Sequence, residues 1–585
     1  MKRLHILPLI LPAISLTVAA QDLNKEITID RDIIPAQRAA ARPVVFPGVI
    51  PPKVDQVTLP IGETGLSTHL TPALGHYEPA GDGGAYPLTP YRGYVDLGYF
   101  PAADLGLSAG YALIDKSNTA LNIWLQGDNR SYKGGDEDFR YKTLDLTAGA
   151  GFKQKTGRFN TLSFSTDVSY STWSIPGTDK NPANLRWNIA GDFDGRAGDR
   201  FTYGIGACFG ILDNSGNDTK AVNYLDGLKL VKQNKIGFNA RLRYSLSGPT
   251  AVGLRVEGSF LDYNTFLTPA MLTAALPSPI AEKPAGEALG QIDFLPSVSY
   301  NGGSFYGRAG VRAGLSVNSG NSFHIAPDIL LGVNPDARFG AWLRLGGGVN
   351  PNDLADLQLT SRYADRRVAY GFSNIPVNGQ VGVRIGPFSG AALTLTLDYA
   401  AANDWLMPLQ VTEGAPVYNL FTPSKIRAWK MGASFDWQWR KLLTVALSYE
   451  YNPGNGDSDA WLYWRDRARH IAGTTLTVTP GELCQSLTPL SVNVSFTARI
   501  DRRQATMSDG AYEFINDQDY IQHRPYQGYY DLDDMTSLSA GASWRFTDAL
   551  TVFARFDNIL DNRAKQIFGI PVQGFTGLVG LGYKF

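Results

Sequence analysis

Apolar and polar residues alternate with period two along most of the chain. Between 429 and 440, Trp429, Met431, Ala433, Phe435, Trp437 and Trp439 form one set, and Lys430, Gly432, Ser434, Asp436, Gln438 and Arg440 the other. From 443 to 451, Leu443, Val445, Leu447, Tyr449 and Tyr451 oppose Thr444, Ala446, Ser448 and Glu450. The same contrast recurs in 535–546 and in the final stretch, where Phe575, Val579, Leu581, Tyr583 and Phe585 share one face. Alternation of this kind predicts strands that face two different environments.

A soluble sandwich also alternates, with its apolar faces turned inward. Here the apolar faces end in aromatic residues and the opposite faces carry glycines and charges, as in a barrel whose oily side meets lipid. Connections alternate in length as well. Short ones fall at 154–158, 247–250, 301–303, 334–336, 386–389, 439–441 and 547–549. Long ones fall at 131–138, 174–183, 265–287, 350–375, 453–465, 503–534 and 559–573. Short turns on one side and long loops on the other predict an all-β fold, a transmembrane antiparallel up-and-down β-barrel of about 22 strands within a range of roughly 20 to 24. The barrel is expected over 90–585. Segments 219–247 and 407–439 are open, each fitting one long strand or two.

In this arrangement Lys430, Asp436, Arg440, Glu450 and Arg545 face the lumen, and Val579, Leu581, Tyr583 and Phe585 face lipid. The last four are also expected to serve as the signal by which assembly machinery recognises the barrel.

The start of the chain departs from this pattern. Lys2 and Arg3 precede an apolar run from Ile6 to Val18, and Val18 and Ala20 suit cleavage before Gln21. Residues 1–20 are therefore expected to be a secretory signal peptide. Residues 21–89 are rich in proline and show no sustained period, which predicts extended or irregular chain in the periplasm or in the lumen.

Composition excludes more than it assigns. The formal net charge of -1 offers no general attraction to nucleic acid, so no nucleic-acid partner is expected. The two cysteines, Cys208 and Cys484, lie far apart in sequence, and whether they pair stays open. The six histidines do not stand near a serine and an acid at a telling spacing. No G-x-S-x-G elbow, zinc-ligand spacing or phosphate loop is present, and DNSGND at 213–218 lacks the length of a calcium loop. No enzyme activity, cofactor or metal is expected. Within 503–534, Tyr512, Tyr520, Tyr526, Tyr529 and Tyr530 stand among carboxylates, a mixture suited to contacting a ligand outside the cell or to packing on neighbouring loops.

Three stretches carry a family resemblance. In LTVFARFDNILDNRAKQIFGIPVQGFTGLVGLGYKF (550–585) a strand enters a turn at Asn558, Ile559 and Leu560, and a loop leads to a glycine-rich last strand. RARHIAGTTLTVTP (467–480) has a basic entry to a strand. NDLADLQLTSRYA (352–364) is similar to an outer-loop segment, with Ser361 and Arg362 where an Asn-Pro pair is usual. Together they resemble the barrel of TonB-dependent receptors over about 91–585. The resemblance implies transport across the outer membrane of a Gram-negative-type bacterium. The family's plug is considerably longer than 21–89, so a standard plug is not expected and TonB coupling stays open; EITID (26–30) reads as a short polar stretch in preference to a TonB-box-like strand.

Two function classes follow. The first is a transport barrel for a solute. The second is a plugless structural or assembly subunit, which docks a periplasmic or outer-membrane protein through 21–89 by strand addition. The expected surroundings in both are outer-membrane lipid and the assembly machinery.

Overall fold

The computed structural model describes residues 91–585 apart from 102–103, 135–138, 175–180, 217–229, 247, 265–286, 319–321, 361, 365, 367–368, 412–418, 454–467, 508–513, 517–518, 522–527 and 568–569. The expectations for 1–20 and 21–89 lie outside the described residues.

The alternating stretches form a closed antiparallel barrel of 22 strands. In order they are β1 (Gly93–Phe100), β2 (Asp104–Lys116), β3 (Thr119–Lys133), β4 (Arg140–Thr156), β5 (Asn160–Trp173), β6 (Ala183–Ala197), β7 (Phe201–Ser215), β8 (Lys232–Ser245), β9 (Thr250–Tyr263), β10 (Glu287–Gly302) and β11 (Phe305–Val317). There follow β12 (Phe323–Asp336), β13 (Phe339–Pro351), β14 (Phe372–Phe388), β15 (Ala391–Val411), β16 (Asn419–Trp439), β17 (Leu443–Tyr451), β18 (Ala468–Val478), β19 (Leu490–Met507), β20 (Met535–Arg545), β21 (Leu550–Asp557) and β22 (Thr576–Lys584). Each strand pairs with the next, and β1 pairs with β22 from Tyr94↔Lys584 to Tyr99↔Val579. Closure leaves no sheet edge within the apolar layer, where each unpaired backbone group costs several kcal/mol.

Of the two open segments, the described residues of 219–247 hold one strand, β8, and 407–439 takes in two, the top of β15 and all of β16. At 21 residues each, β15 and β16 exceed the roughly 9–11 that a tilted strand needs to cross a bilayer, so they rise beyond it. Their upper part joins a second pairing: Leu409–Val411 of β15 runs parallel to Ala505–Met507 of β19. The expected loop 503–534 is partly strand too, since Gly528–Leu532 pairs with β19. Two connections on the long-loop side are short, at 101–103 and 318–322, and the one between β18 and β19 on the other side holds two 3-10 turns. There Cys484 sits beside the Ser486 hydroxyl, which holds its thiol below the usual range; both cysteines are free.

Cross-strand partners share a face, so the two faces can be followed around the barrel. One carries Leu97, Leu125, Trp187, Ile236, Ile325, Leu395 and Leu581, all well exposed although large and apolar. On a soluble protein such a continuous apolar surface would aggregate; here it is the lipid-facing band. The other face runs through Asp96, Ser108, Gln126, Thr147, Ser169 and Arg186 and encloses the lumen.

The seam between β1 and β22 shows what the last strand contributes. The Phe585 carbonyl accepts the Arg92 and Gly93 N–H groups at 2.7 and 2.8 Å. Its ring lies over Gly93, which has no side chain to displace it, and stacks on Tyr111 of β2 with centroids 6.0 Å apart. One aromatic side chain thus spans three strands across the closure.

Candidate functional site: an outer loop folded onto the inner wall

The connection between β13 and β14 does not stay outside. It begins with a short helix, α1 (Leu354–Thr360), and packs onto the lumen face of β4 to β9. Asp353 starts the helix as its N-cap, its Oδ1 accepting the Ala355 N–H at 2.8 Å. The same carboxylate accepts the Gln233 side-chain amide at 2.6 Å and the Lys235 ammonium at 2.7 Å, both from β8. Gln233 in turn accepts the Leu354 N–H at 2.9 Å. Asp353 is therefore both a helix cap and the main anchor of the loop, and it is buried.

Further contacts extend around the wall. The Gln358 amide donates to Asn214 Oδ1 at 2.9 Å and its oxygen accepts from Asn184 at 3.0 Å, joining β7 and β6. Arg362 donates to Asp145 of β4 at 3.0 Å. Buried Arg366 donates to the carbonyls of Ala183 and Ser215, and its guanidinium lies 5.7 Å from the Trp173 ring centroid. The Tyr263 hydroxyl donates to the Asn352 carbonyl at 3.1 Å. Leu354 and Leu357 fill the space beneath the helix. An arc of six consecutive strands thus holds one loop, which originates four strands beyond the end of that arc.

A second connection meets it. Tyr363 packs with Tyr141, Trp173 and Ile570 in a buried aromatic cluster flanked by Tyr132 and Phe139. Burial raises the Tyr363 phenol above its ordinary pKa, against the pull of Arg362. Ile570 belongs to the connection between β21 and β22, which Asn558 organises. In the left-handed conformation (φ 48°), Asn558 donates to the Asn562 and Gln573 carbonyls at 2.7 and 2.9 Å and accepts the Asn562 N–H at 3.1 Å. Gln573 and Thr576 donate to buried Asp104, which also accepts the Ser131 N–H at 3.1 Å.

The wall beside this arc is strongly charged. Asp328 accepts Arg255 at 2.9 Å and Arg308 at 2.8 Å. Asp293 accepts Gln291 at 2.5 Å and Arg312 at 2.9 Å, with His324 Nε2 at 2.9 Å; His324 Nδ1 lies 3.4 Å from Ser316 Oγ. Sequence spacing gave no sign of this Asp-His-Ser grouping, because register across β10, β11 and β12 creates it. All three residues are buried and the carboxylate is already paired with Arg312, so the group ties three strands together. Its meeting point is Gly314, whose missing side chain leaves room for Asp293 and His324 to touch across β11. Gly314→Ala should separate the two and lower barrel stability by about 1–3 kcal/mol, read as a lower urea midpoint for unfolding. An unchanged midpoint would show the contact to be unimportant.

The predicted site residues distribute as follows. Lys430 is Asp398's partner across β15 and β16 and lies 3.5 Å from Glu450; Asp398 accepts from Gln380 at 2.8 Å, and Gln380 accepts from Trp342 at 3.0 Å. Asp436 is exposed on the same face of β16. Arg440 lies in the turn after β16, where its guanidinium stands 5.7 Å from the Trp439 ring centroid, and Arg545 ends β20, exposed. Val579, Leu581, Tyr583 and Phe585 are between 48% and 54% exposed on the face opposite the lumen. Tyr512 and Tyr526 lie outside the described residues. The backbones of Tyr520, Tyr529 and Tyr530 lie in the short strands Asp519–Ile521 and Gly528–Leu532. Apart from Arg362, named only as a departure from an Asn-Pro pair, the residues that anchor the folded-in loop were not singled out from sequence.

No family model matches the chain, and no curated protein matches it in sequence. Solved structures do match in fold. A ferric enterobactin receptor mutant from Pseudomonas aeruginosa aligns with TM-score 0.60 at 11% identity, over 84% of this chain and 80% of that one. The siderophore receptor PirA from Acinetobacter baumannii aligns with TM-score 0.60 at 9% identity, over 85% and 80%. The FrpB iron transporter from Neisseria meningitidis aligns with TM-score 0.60 at 12% identity, over 85% and 82%. The chain shares with these proteins the fold of a closed 22-strand barrel.

Proposed function

We propose that the chain is an outer-membrane transport barrel in which loop 352–371 narrows the outer end of the solute path. The observation that carries this reading is the docking of Asp353, Gln358, Arg362 and Arg366 on inward-facing groups of β4 to β8. An outer loop gains such contacts only by turning into the lumen. The structural neighbours named as siderophore and ferric enterobactin receptors support a solute larger than a simple ion, consistent with the wide lumen of a 22-strand barrel. Lys430, Asp436, Glu450 and Arg545 would set lumen polarity along the path. Tyr512, Tyr520, Tyr526, Tyr529 and Tyr530 would make outer contacts with the solute.

A charge-reversal pair tests the loop's position. Arg362→Asp should weaken docking by about 1–3 kcal/mol, since the Asp145 pair is partly buried. The full chain in planar bilayers should then conduct more or fluctuate more. Adding Asp145→Arg should restore the original trace. Lack of rescue would remove the loop from the path. A silent barrel that co-purifies with stoichiometric partner proteins would favour the structural-subunit reading instead.

A further inference from the structure

The short-turn rim of the barrel carries arginines laid against exposed aromatic rings. Arg158 and Arg196 stand 5.2 and 5.6 Å from the Phe159 ring centroid, Arg338 stands 5.7 Å from that of Phe388, and Arg440 stands 5.7 Å from that of Trp439. These rings are 44–52% exposed, and they belong to an aromatic belt at that end with Tyr300, Phe305, Phe339, Phe546 and Tyr583. Three separate turns, after β4, β12 and β16, thus place a cation at the same level relative to the belt.

Arg196 is satisfied locally by Asp199 and the Gly198 carbonyl. Among the described residues, the guanidinium groups of Arg158, Arg338 and Arg440 have no acidic partner. Each guanidinium carbon stands over an exposed ring, a placement in which the N–H donors of a guanidinium stay available to the surroundings. At a girdle the surroundings are the headgroup layer. The opposite mouth has the reverse charge in sequence, with Asp509, Glu513, Asp517, Asp519, Asp531 and Asp533 in one connection. Charge complementarity therefore assigns an anionic ligand to the short-turn side alone.

We propose that Arg158, Arg338 and Arg440, each with its girdle ring, form seats for the phosphate of anionic glycerophospholipids in the inner leaflet of the outer membrane. The ring packs beside the upper acyl chain and glycerol while the guanidinium bonds the phosphate bidentately. A zwitterionic headgroup carries its own ammonium, which competes for the phosphate and weakens the seat. Orientation also follows: a barrel held by its basic rim at one leaflet is fixed in depth and tilt.

The test is native mass spectrometry of the full chain in neutral detergent, titrated separately with phosphatidylglycerol, phosphatidylethanolamine and lipid A. Phosphatidylglycerol should be retained roughly tenfold more than phosphatidylethanolamine, given the strength of basic residues toward anionic lipid surfaces. The combined variant Arg158→Gln, Arg338→Gln, Arg440→Gln should lose that preference, and Arg241→Gln, on the lumen face of β8 where it pairs with Asp194 at 3.0 Å, should keep it. Folding of each variant is checked by heat-modifiable gel migration. If the triple variant does not fold, Arg338→Gln alone should still lower the number of retained anionic lipids. Equal retention of both phospholipids, or a preference that survives the triple variant, overturns the proposal. So does lipid A displacing phosphatidylglycerol from the wild-type chain, because the phosphate would then belong to the other leaflet.

Discussion

Gly580→Val should abolish barrel closure. Gly580 of β22 pairs with Gly98 of β1, and the Phe553 ring from β21 lies over both on the lumen side. A Cβ at 580 would collide with the Leu97 carbonyl oxygen and stand 2.8 Å from the Gly98 Cα. Those are backbone atoms of the partner strand, so no rotamer change relieves the clash; the two strands must part. Parting them exposes unpaired N–H and C=O groups to hydrocarbon, each costing several kcal/mol, which exceeds typical total stability within a few residues. The expected result is loss of the compact, heat-modifiable species in cells and on refolding. Gly580→Ala should be milder but still impaired, because the added Cβ meets the same backbone atoms. A Gly580→Val protein that folds with wild-type yield would show that the seam adjusts more freely than its register indicates.

Asp353→Ala should release the folded-in loop without unfolding the barrel. The substitution removes the acceptor for Gln233 and Lys235 and the cap of α1 together. Breaking a buried pair costs about 3–5 kcal/mol, and a lost N-cap adds about 1 kcal/mol. Each 1.4 kcal/mol is about a tenfold change, so docking should weaken by at least two orders of magnitude. Trypsin cleavage after Arg362 or Arg366 should accelerate strongly, and conductance should rise, while heat-modifiable migration persists because the strands keep their pairing. Asp353→Asn keeps the cap and one acceptor but loses the charge, so its effect should be intermediate. Wild-type protease resistance in Asp353→Ala would mean that Arg366 and the Tyr363 cluster hold the loop unaided.

Much of the barrel is legible in the alternation. The faces assigned to 429–440 and 443–451 follow from a constraint that acts residue by residue: every second side chain of a membrane strand meets hydrocarbon. Turn positions were legible for a similar reason, since Gly157, Gly248, Gly303 and Ser389 take backbone conformations that few residues tolerate. Loop 503–534 was less legible, because its strand pairs with the top of β19 by backbone bonds that leave little mark on side-chain pattern.

What the linear chain determined by itself is therefore the inside-out barrel and its approximate strand number. These rest on short-range periodicity and on solvent, both of which each segment feels alone. Only the tertiary structure decided that Asp353 meets Lys235, that Arg362 meets Asp145, and that Asp293 meets His324 across Gly314. Those meetings join residues from 31 to 217 positions apart. They exist because strand register and barrel closure bring remote positions to one wall, and no local pattern encodes which polar residue will find which.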